Sequence, residues 1–472
     1  MKFLKKYSLI VLLAIMLSAC EGLLDGINED PNDIVADEVS AELYLTGAQL
    51  ANISAQAGHM NRIAGMYSGQ LVGLASLYSN IYGFSLATSE LGNIWSHIYV
   101  GSVANLRNLR ELSEDDPLLV GIAKVTEAHA IGTAASVFGD IPYSEIANPE
   151  ISDPVFDDQV SVFNSVITLL DDAISDLEST SGRPLDQDIV FEGDADKWIE
   201  AAYTLKARYL LQLREYDRAF TAAQNGISSD DGTMRFIPRG QANVSEGDKN
   251  LFWQILAGPR TGDIGTENSY LMQLLDENSG ISRNNAKTNE EARLGYYRID
   301  ESGGVVNLGI AEQFEPQNMV SYAENQLILA ETATREQGAD EGLVYLNELR
   351  AWLDTGDMVN ENFEDLTHVY EPYVLADFES GGMENQDNIA TTRALLREII
   401  EERYVSGFGM YIPFNDARRL RGSESDISVP FVMVDGPNPP YAERFPYSDD
   451  ELNSNENAPE DPGIFEPTPV NQ

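Results

Sequence analysis

The chain has 472 residues, and its 77 acidic residues against 30 lysines and arginines give a formal charge of −47. This acid excess argues against nucleic-acid binding and against peripheral attachment to anionic membranes, because both require clustered cations. The single cysteine excludes an internal disulfide framework and a thiolate zinc site of the usual kind. A hydrophobic fraction of 43% is that of an ordinary globular core, so disorder throughout the chain is excluded as well.

The N-terminus predicts export followed by lipid attachment. Three lysines precede an unbroken apolar run over residues 9–17, which is too short to span a bilayer and is typical of a signal peptide. Leu17-Ser18-Ala19-Cys20 follows at once and resembles the bacterial lipobox, in which the cysteine becomes lipid-modified. We therefore predict a lipoprotein signal peptide over residues 1–19, lipidation at Cys20, and an acidic, turn-rich tether over residues 20–40.

The remaining chain, residues 41–472, is predicted to be a single, mostly α unit. Apolar residues recur at spacings of three and four, which indicates amphipathic helices, and small residues in the partner helices indicate hairpins of the tetratricopeptide kind. Residues 228–318, rich in Gly, Asn and aromatics, are predicted to be a loop-rich insertion that carries the binding surface. The C-terminal region is irregular around one helix starting at Thr391. The hairpins are predicted at about residues 92–138, 197–227 and 319–350.

Six short motifs follow one another along this unit. They are FGDIPYSE at 138–145, PVFDDQ at 154–159, YAENQLILAE at 322–331, LNELR at 346–350, NDARR at 415–419, and RFPYS at 444–448 with ELN at 451–453. Together with the lipobox, they resemble the SusD/RagB family of nutrient-binding outer-membrane lipoproteins from Bacteroidota.

The resemblance implies a fold and a way of working. The fold would be a SusD-like unit built on degenerate tetratricopeptide hairpins, with an irregular C-terminal region. The protein would sit on the cell surface as the lid of a SusC-like TonB-dependent transporter. It would capture oligosaccharides, or in some branches of the family peptides, and pass them into the barrel. The binding residues of the family vary, so no particular ligand carries over.

Two aromatic clusters are the candidates for ligand contact. Sugars are bound by flat aromatic faces flanked by Asn, Gln, Asp or Arg, which serve the hydroxyl groups. The first candidate lies in a predicted Gly/Ser-rich loop and the second in the insertion. The predicted ligand-binding residues are Tyr78, Asn80 and Tyr82 in the first cluster, and Trp253, Tyr270, Tyr296 and Tyr297, near Asn268, in the second. Packing of these aromatics within their own loops remains the alternative.

Other conspicuous residues are given structural roles. Trp95, Trp198 and Trp352 lie in helical patterns and are predicted to be core, as is His129 on its apolar stripe. Arg418 and Arg419 are predicted to pair with buried carboxylates, because a guanidinium suits a bidentate carboxylate partner.

Catalytic machinery is not indicated. The four histidines have no metal-ligand spacing, and there is no nucleophile elbow, P-loop or dinucleotide motif. Adjacent acids such as Asp115 and Asp116 are expected by chance among 77 acidic residues. We predict no catalytic residue, no metal and no cofactor. A peptide-capturing member, an anchored glycoside hydrolase and a purely structural scaffold remain the alternatives.

Overall fold

The computed structural model describes residues 40–472, except 147, 149, 245–246, 259, 300–306, 435 and 437–438. The predicted signal peptide, the lipidation site Cys20 and residues 20–39 of the predicted tether lie outside the described residues.

The N-terminal half is a succession of helices whose starts are set by capping side chains. Asp158 and Asp194 each accept hydrogen bonds from the first backbone amides of their helices, and Asp116 caps a helix that begins with proline. A π-helix over His97–Ala104 joins α4 to α5. The α-helices are α1 Ala41–Ala57, α2 His59–Tyr67, α3 Ser76–Tyr82, α4 Gly92–Ser96, α5 Asn105–Leu112, α6 Pro117–Phe138, α7 Gln159–Glu178, α8 Ala195–Gln212 and α9 Tyr216–Ala223.

The C-terminal half interleaves helices with short ribbons. The helices are α10 Leu251–Ala257, α11 Tyr270–Leu275, α12 Glu291–Tyr297, α13 Tyr322–Glu336, α14 Ala339–Leu353, α15 Leu375–Phe378, α16 Thr391–Ser406, α17 Ile412–Arg421 and α18 Asp449–Ser454. Each strand pairs with one antiparallel partner. The pairs are β1 Val72–Gly73 with β5 Ile264–Gly265, β2 Ile141–Pro142 with β3 Phe156–Asp157, β4 Met234–Phe236 with β7 Gln317–Val320, and β6 Thr288–Asn289 with β8 Val369–Tyr370. The mostly α fold predicted from the sequence is confirmed.

Helix packing follows the apolar stripes. Helix α6 packs along α7, and α8 packs between α7 and α9, while α13 contacts α9, α14 and α16. A Cβ at Gly132 in α6 would overlap the ring of Tyr209 in α8, so the missing side chain lets the two helices approach. The segment predicted as the hairpin 197–227 contains α8 and α9, and that predicted for 319–350 contains α13 and α14.

The two neighbouring arginines of α17 have different environments. Arg419 pairs with Glu331 at 2.7 Å and with Asp416 at 3.0 Å, all three buried, as predicted. The same prediction is wrong for Arg418, which donates to the backbone carbonyls of Ser136 and Glu443. Residues 418 and 419 project about 100° apart around the helix, so only one of them can face the carboxylates.

His129 is the buried core residue that its stripe predicts. It is fully buried on α6, and its Nδ1 lies 3.2 Å from the side-chain amide nitrogen of Asn52 on α1. Burial, together with the charge of Arg208, holds the pKa of His129 well below its usual value, so the ring is neutral.

Candidate ligand-binding site

A cleft with a volume of about 240 Å³ opens where the insertion meets the end of the α13–α14 hairpin. We call it the aromatic cleft. Its walls come from chain segments far apart in the sequence. They include Asp230, Arg235, Phe252, Tyr296, Tyr297, Glu315, Asn318, Trp352, Asp357, Met358, Asn360 and Phe408.

Aromatic rings form the floor and one side of the aromatic cleft. Tyr297, at the end of α12, meets Phe408 edge-to-face with ring centroids 5.1 Å apart, and Phe252 from α10 stacks on Phe408 at 6.3 Å. Trp352 lies in the last turn of α14, where Tyr322 supports it edge-on at 5.5 Å. The floor tyrosine is buried, whereas Trp352 remains partly exposed to the opening. Trp352 therefore packs against the core and also lines the cleft, so its assignment to the core is only partly correct.

Polar groups with fixed orientations form the other side. The Tyr296 hydroxyl donates to Glu315 Oε1 at 2.7 Å, and Asn360 Nδ2 donates to Glu315 Oε2 at 2.7 Å. Arg235 pairs with Asp230 and donates from Nε to Asn318 Oδ1 at 2.8 Å. Partial burial raises the pKa of Glu315, although the two hydrogen bonds oppose this effect. The cleft therefore offers aromatic surface beside oriented donors and acceptors.

Of the ligand-binding residues predicted in the insertion, some line the aromatic cleft and the others lie outside it. Tyr296 and Tyr297 line it. Trp253 lies elsewhere, with the Lys249 ammonium 5.2 Å from its ring centroid. Tyr270 is buried against Tyr404, with ring centroids 6.1 Å apart. Asn268, an exposed residue with φ of 57°, precedes α11.

The first aromatic cluster lies in a helix, so the expected loop is wrong. Tyr78 and Tyr82 are one turn apart in α3, and this spacing turns both rings towards the interior, where they are 1% and 5% exposed. Arg62 Nε donates to the Tyr78 hydroxyl at 2.7 Å, and the Tyr82 hydroxyl donates to the carbonyl of Val434 at 2.9 Å. Asn80 is exposed. A role of these three residues in ligand binding stays a prediction.

Apart from Tyr296 and Tyr297, the lining of the aromatic cleft was absent from the predicted site, and it includes Trp352, Arg235, Glu315 and Asn360. A signal was available for Trp352 alone. Leu346, Leu349 and Leu353 form the buried stripe of α14, and Trp352 falls about 100° away from Leu353 around the helix. Arg235 lies in the short strand β4, whereas Glu315 and Asn360 lie in connecting segments, and only the folded chain brings these ordinary polar residues together.

A second groove, of about 510 Å³, lies beside the π-helix. Trp95 and Tyr99 contact each other there at 4.8 Å, and Trp95 is 7% exposed, so its assignment to the core is correct. The walls are mainly apolar, and the acids Asp450 and Glu451 are its charged lining residues. We place the candidate site in the aromatic cleft, because sugar binding needs polar groups directed at the ligand as well as aromatic faces.

Two searches of the described residues bear on other kinds of site. Over residues 40–472 with the gaps given above, no group of three or more His, Cys, Asp or Glu side chains is arranged to hold a metal ion. In that same part of the chain, no helix has both the length and the apolar character that crossing a membrane requires.

The sequence and the fold both have known counterparts. Residues 31–243 match the family model SusD-like_2, described as starch-binding and associating with the outer membrane. A SusD/RagB family protein of Bacteroides thetaiotaomicron is 21% identical, with a TM-score of 0.64 over 89% of this chain and 95% of that one. Residues 31–243 thus carry the sequence match to the SusD-like family, and the described chain has the fold of the SusD/RagB proteins.

Two further solved structures share the fold of this protein. A SusD homologue of Bacteroides fragilis is 17% identical and has a TM-score of 0.66 over 92% of this chain and all of that one. A chitin-binding SusD homologue of Flavobacterium johnsoniae is 14% identical, with a TM-score of 0.62 over 91% and 99% of the two chains. None of the curated proteins matches the sequence.

Proposed function

We propose that this protein, as a member of the SusD/RagB family, captures oligosaccharides at the cell surface and delivers them to a SusC-like TonB-dependent transporter, acting as its lid. It would be anchored to the outer membrane through Cys20 and would have no catalytic activity. The aromatic cleft is the observation that carries the proposal. The description of the matching family model, and the chitin binding named for one structural relative, support a glycan as the ligand.

The cleft suits one end of a sugar chain. The partly exposed ring of Trp352 offers a flat surface for the apolar face of a pyranose. Around it, Asn318 supplies an amide group and Glu315 supplies acceptor oxygens for hydroxyl groups, while Asn360 holds Glu315 in place. We expect modest affinity, because stacking and exposed hydrogen bonds must offset the loss of freedom of a flexible glycan.

Replacing Trp352 by alanine tests the binding site. Truncating an aromatic platform costs about 1–3 kcal/mol, so we expect glycan affinity to fall about tenfold or more while the fold is kept. The measurement is calorimetry of the chain without its predicted signal peptide, titrated with a panel of neutral oligosaccharides and with peptides of similar length. Trp253→Ala examines the sequence prediction separately, because Trp253 packs on Lys249 outside the cleft.

Each outcome of this titration has a clear meaning. Loss of affinity in Trp253→Ala alone would move the site away from the cleft. Binding of peptides and not of glycans would favour the peptide-capturing alternative. Release of reducing ends from a bound glycan would contradict a function without catalysis.

Co-purification tests the transporter partnership. We expect the full-length chain, affinity-tagged and isolated from outer membranes, to carry a SusC-like transporter with it. Cys20→Ala removes the lipid anchor and leaves the contact with the transporter as the sole attachment. We expect this variant to be lost from the membrane fraction, because a single attachment lacks the avidity of two. Wild-type protein that binds glycans but never co-purifies with a transporter would contradict delivery and leave capture standing.

A further inference from the structure

The charges that line the aromatic cleft do not balance. Asp230 forms an ion pair with Arg235, so these two charges cancel. Glu315 and Asp357 also line the cleft, and within the described part of the chain neither carboxylate has a lysine, arginine or histidine within ion-pair distance. Asp357 is at the exposed rim, whereas Glu315 is partly buried beside the aromatic floor. The charge of Arg235 also reaches Glu315, but Arg235 is already paired with Asp230. The cleft thus contains a partly desolvated carboxylate without an ion-pair partner of its own.

Hydrogen bonds fix the position of this charge. The Tyr296 hydroxyl and the Asn360 amide each donate to a different oxygen of Glu315, so the carboxylate cannot rotate freely. The backbone carbonyl of Glu315 also accepts from Asn250 Nδ2 at 2.9 Å, which holds the segment in place. A carboxylate has about four acceptor sites, so two used sites leave capacity for a ligand.

We propose that the aromatic cleft binds a glycan bearing a protonated amino group, with the ammonium on Glu315 and a sugar face on Trp352. This inference rests on the proposed function and names its substrate class. An ammonium would supply the missing positive charge and make charge-assisted hydrogen bonds, which are about twice as strong as neutral ones. A uronic acid at the same place would meet like charge and be rejected.

Other cations fit the cleft less well. A divalent metal would need a cluster of ligands, and the described residues contain no group of three that could hold one. A peptide amino terminus offers the same ammonium, but a partly exposed indole bordered by amide side chains is better matched to a hydroxyl-bearing ring.

The test compares two sugars that differ in charge. The probes are the β-1,4-linked glucosamine tetramer and its N-acetylated counterpart, measured by calorimetry near pH 6 with the folded, soluble protein. We expect the amine tetramer to bind wild type about tenfold more tightly, which corresponds to one charge-assisted hydrogen bond. Glu315→Gln keeps the shape of the side chain and should remove that preference.

Glu312→Gln is the matched control. Glu312 is three residues away and accepts from the backbone amide of Phe314, but it does not line the cleft. We expect this variant to keep the tenfold preference.

Burial raises the pKa of Glu315 above its ordinary 4.5, and the charge of Glu312 adds to this. The hydrogen bonds from Asn360 and Tyr296 and the charge of Arg235 oppose it. Wild-type affinity for the amine tetramer should therefore fall as the solution is acidified towards the raised pKa, and in Glu312→Gln this fall should move to lower pH. In Glu315→Gln this dependence should disappear.

Several results would overturn the inference. Equal wild-type affinity for both tetramers would do so, as would an unchanged preference in Glu315→Gln. If neutral glycans bind the cleft but the amine tetramer does not, the inference fails and the proposed function stands. If no glycan binds, the proposed function itself fails. A tripeptide that binds with the same dependence on Glu315 would replace the amino sugar as the ligand.

Discussion

Glu402→Gln is expected to destabilise the protein by about 3–5 kcal/mol at neutral pH, because it removes the negative charge between two buried arginines. Arg293 Nη1 donates to Glu402 Oε1 at 2.6 Å, and Arg283 Nη1 donates to Oε2 at 2.7 Å. Ser406 adds a third donor at 2.6 Å. Both guanidiniums and the carboxylate are at most 3% exposed, so water cannot replace the lost charge.

The cluster as a whole contains more acids than bases. Arg283 also contacts Glu290 at 3.4 Å, Glu398 at 2.8 Å and Glu401 at 3.3 Å. Burial by itself raises the pKa of Glu402, but Arg293 and Arg283 outweigh it and hold that pKa far below its ordinary value. Glu398 has the opposite balance: burial, with Glu384 and Glu401 nearby, raises its pKa well above the ordinary 4.5 despite Arg283.

Glu398→Gln is therefore expected to act in the opposite direction. A folded-state pKa above the unfolded value means that this group stabilises the fold below about pH 4.5 and that the contribution is lost as the pH rises towards the folded pKa. Glutamine resembles the protonated acid and does not titrate. Relative to wild type, the variant should gain about 1.4 kcal/mol of stability per pH unit above pH 4.5, until the folded-state pKa is reached.

Urea unfolding followed by circular dichroism at pH 5, 7 and 8.5 measures both effects. Asp387→Asn is the control, because Asp387 pairs with Arg397 of the same helix while its own side chain is 53% exposed, and we expect a change below about 1 kcal/mol. Equal destabilisation by Glu402→Gln and Glu398→Gln at every pH would show that the two carboxylates are equivalent, which contradicts this account.

Asp188→Ala is expected to cost about 3–5 kcal/mol, since it would leave several buried donors without an acceptor. Asp188 is fully buried. Its Oδ1 accepts from Gln49 Nε2 at 2.8 Å and from the amide of Val190 at 3.1 Å. Its Oδ2 accepts from Trp198 Nε1 at 2.7 Å and from the amide of Gly193 at 2.9 Å. One carboxylate thus joins α1, the loop before α8, and α8 itself.

The exposed neighbour provides the control for this prediction. Asp186 lies two residues earlier in the same loop and is exposed, so Asp186→Ala should change the free energy of unfolding by less than about 0.5 kcal/mol. Trp198→Phe removes one donor from Asp188 and keeps most of the packing, and it should cost less than Asp188→Ala. If Asp188→Ala were as stable as Asp186→Ala, the prediction would be contradicted, because the buried donors would then have found another acceptor, such as water.

The helices were predictable because their signal is local. Asp158 caps α7, and the residues Phe163, Ile167 and Leu170 that follow at spacings of three and four are all buried. Helix α16 begins at Thr391, as predicted. The error at Tyr78 and Tyr82 came from composition: Gly and Ser around the segment indicated a loop, whereas the one-turn spacing of the rings indicated a helical face.

The candidate site was only partly predictable, because it is assembled from distant segments. Tyr296 and Tyr297 were in the predicted set and line the cleft, but Asn360 reaches Glu315 across 45 residues and Arg235 reaches Asn318 across 83. No periodicity relates such residues. Aromatic content alone likewise could not separate Tyr297 in the cleft from Tyr270 in the core.

By itself, the sequence determined the mostly α fold, the resemblance to SusD/RagB proteins and the acidic character of the protein, because periodicity, ordered motifs and composition are properties of the chain in one dimension. The tertiary structure decided which polar groups meet. It gave Arg418 backbone partners and Arg419 carboxylate partners, and it lowered the pKa of Glu402 but raised that of Glu398 although the two are one turn apart. It also left Glu315 without an ion-pair partner in the cleft that Trp352 lines. Those outcomes depend on burial and on distances between remote segments, and both exist only once the chain has folded.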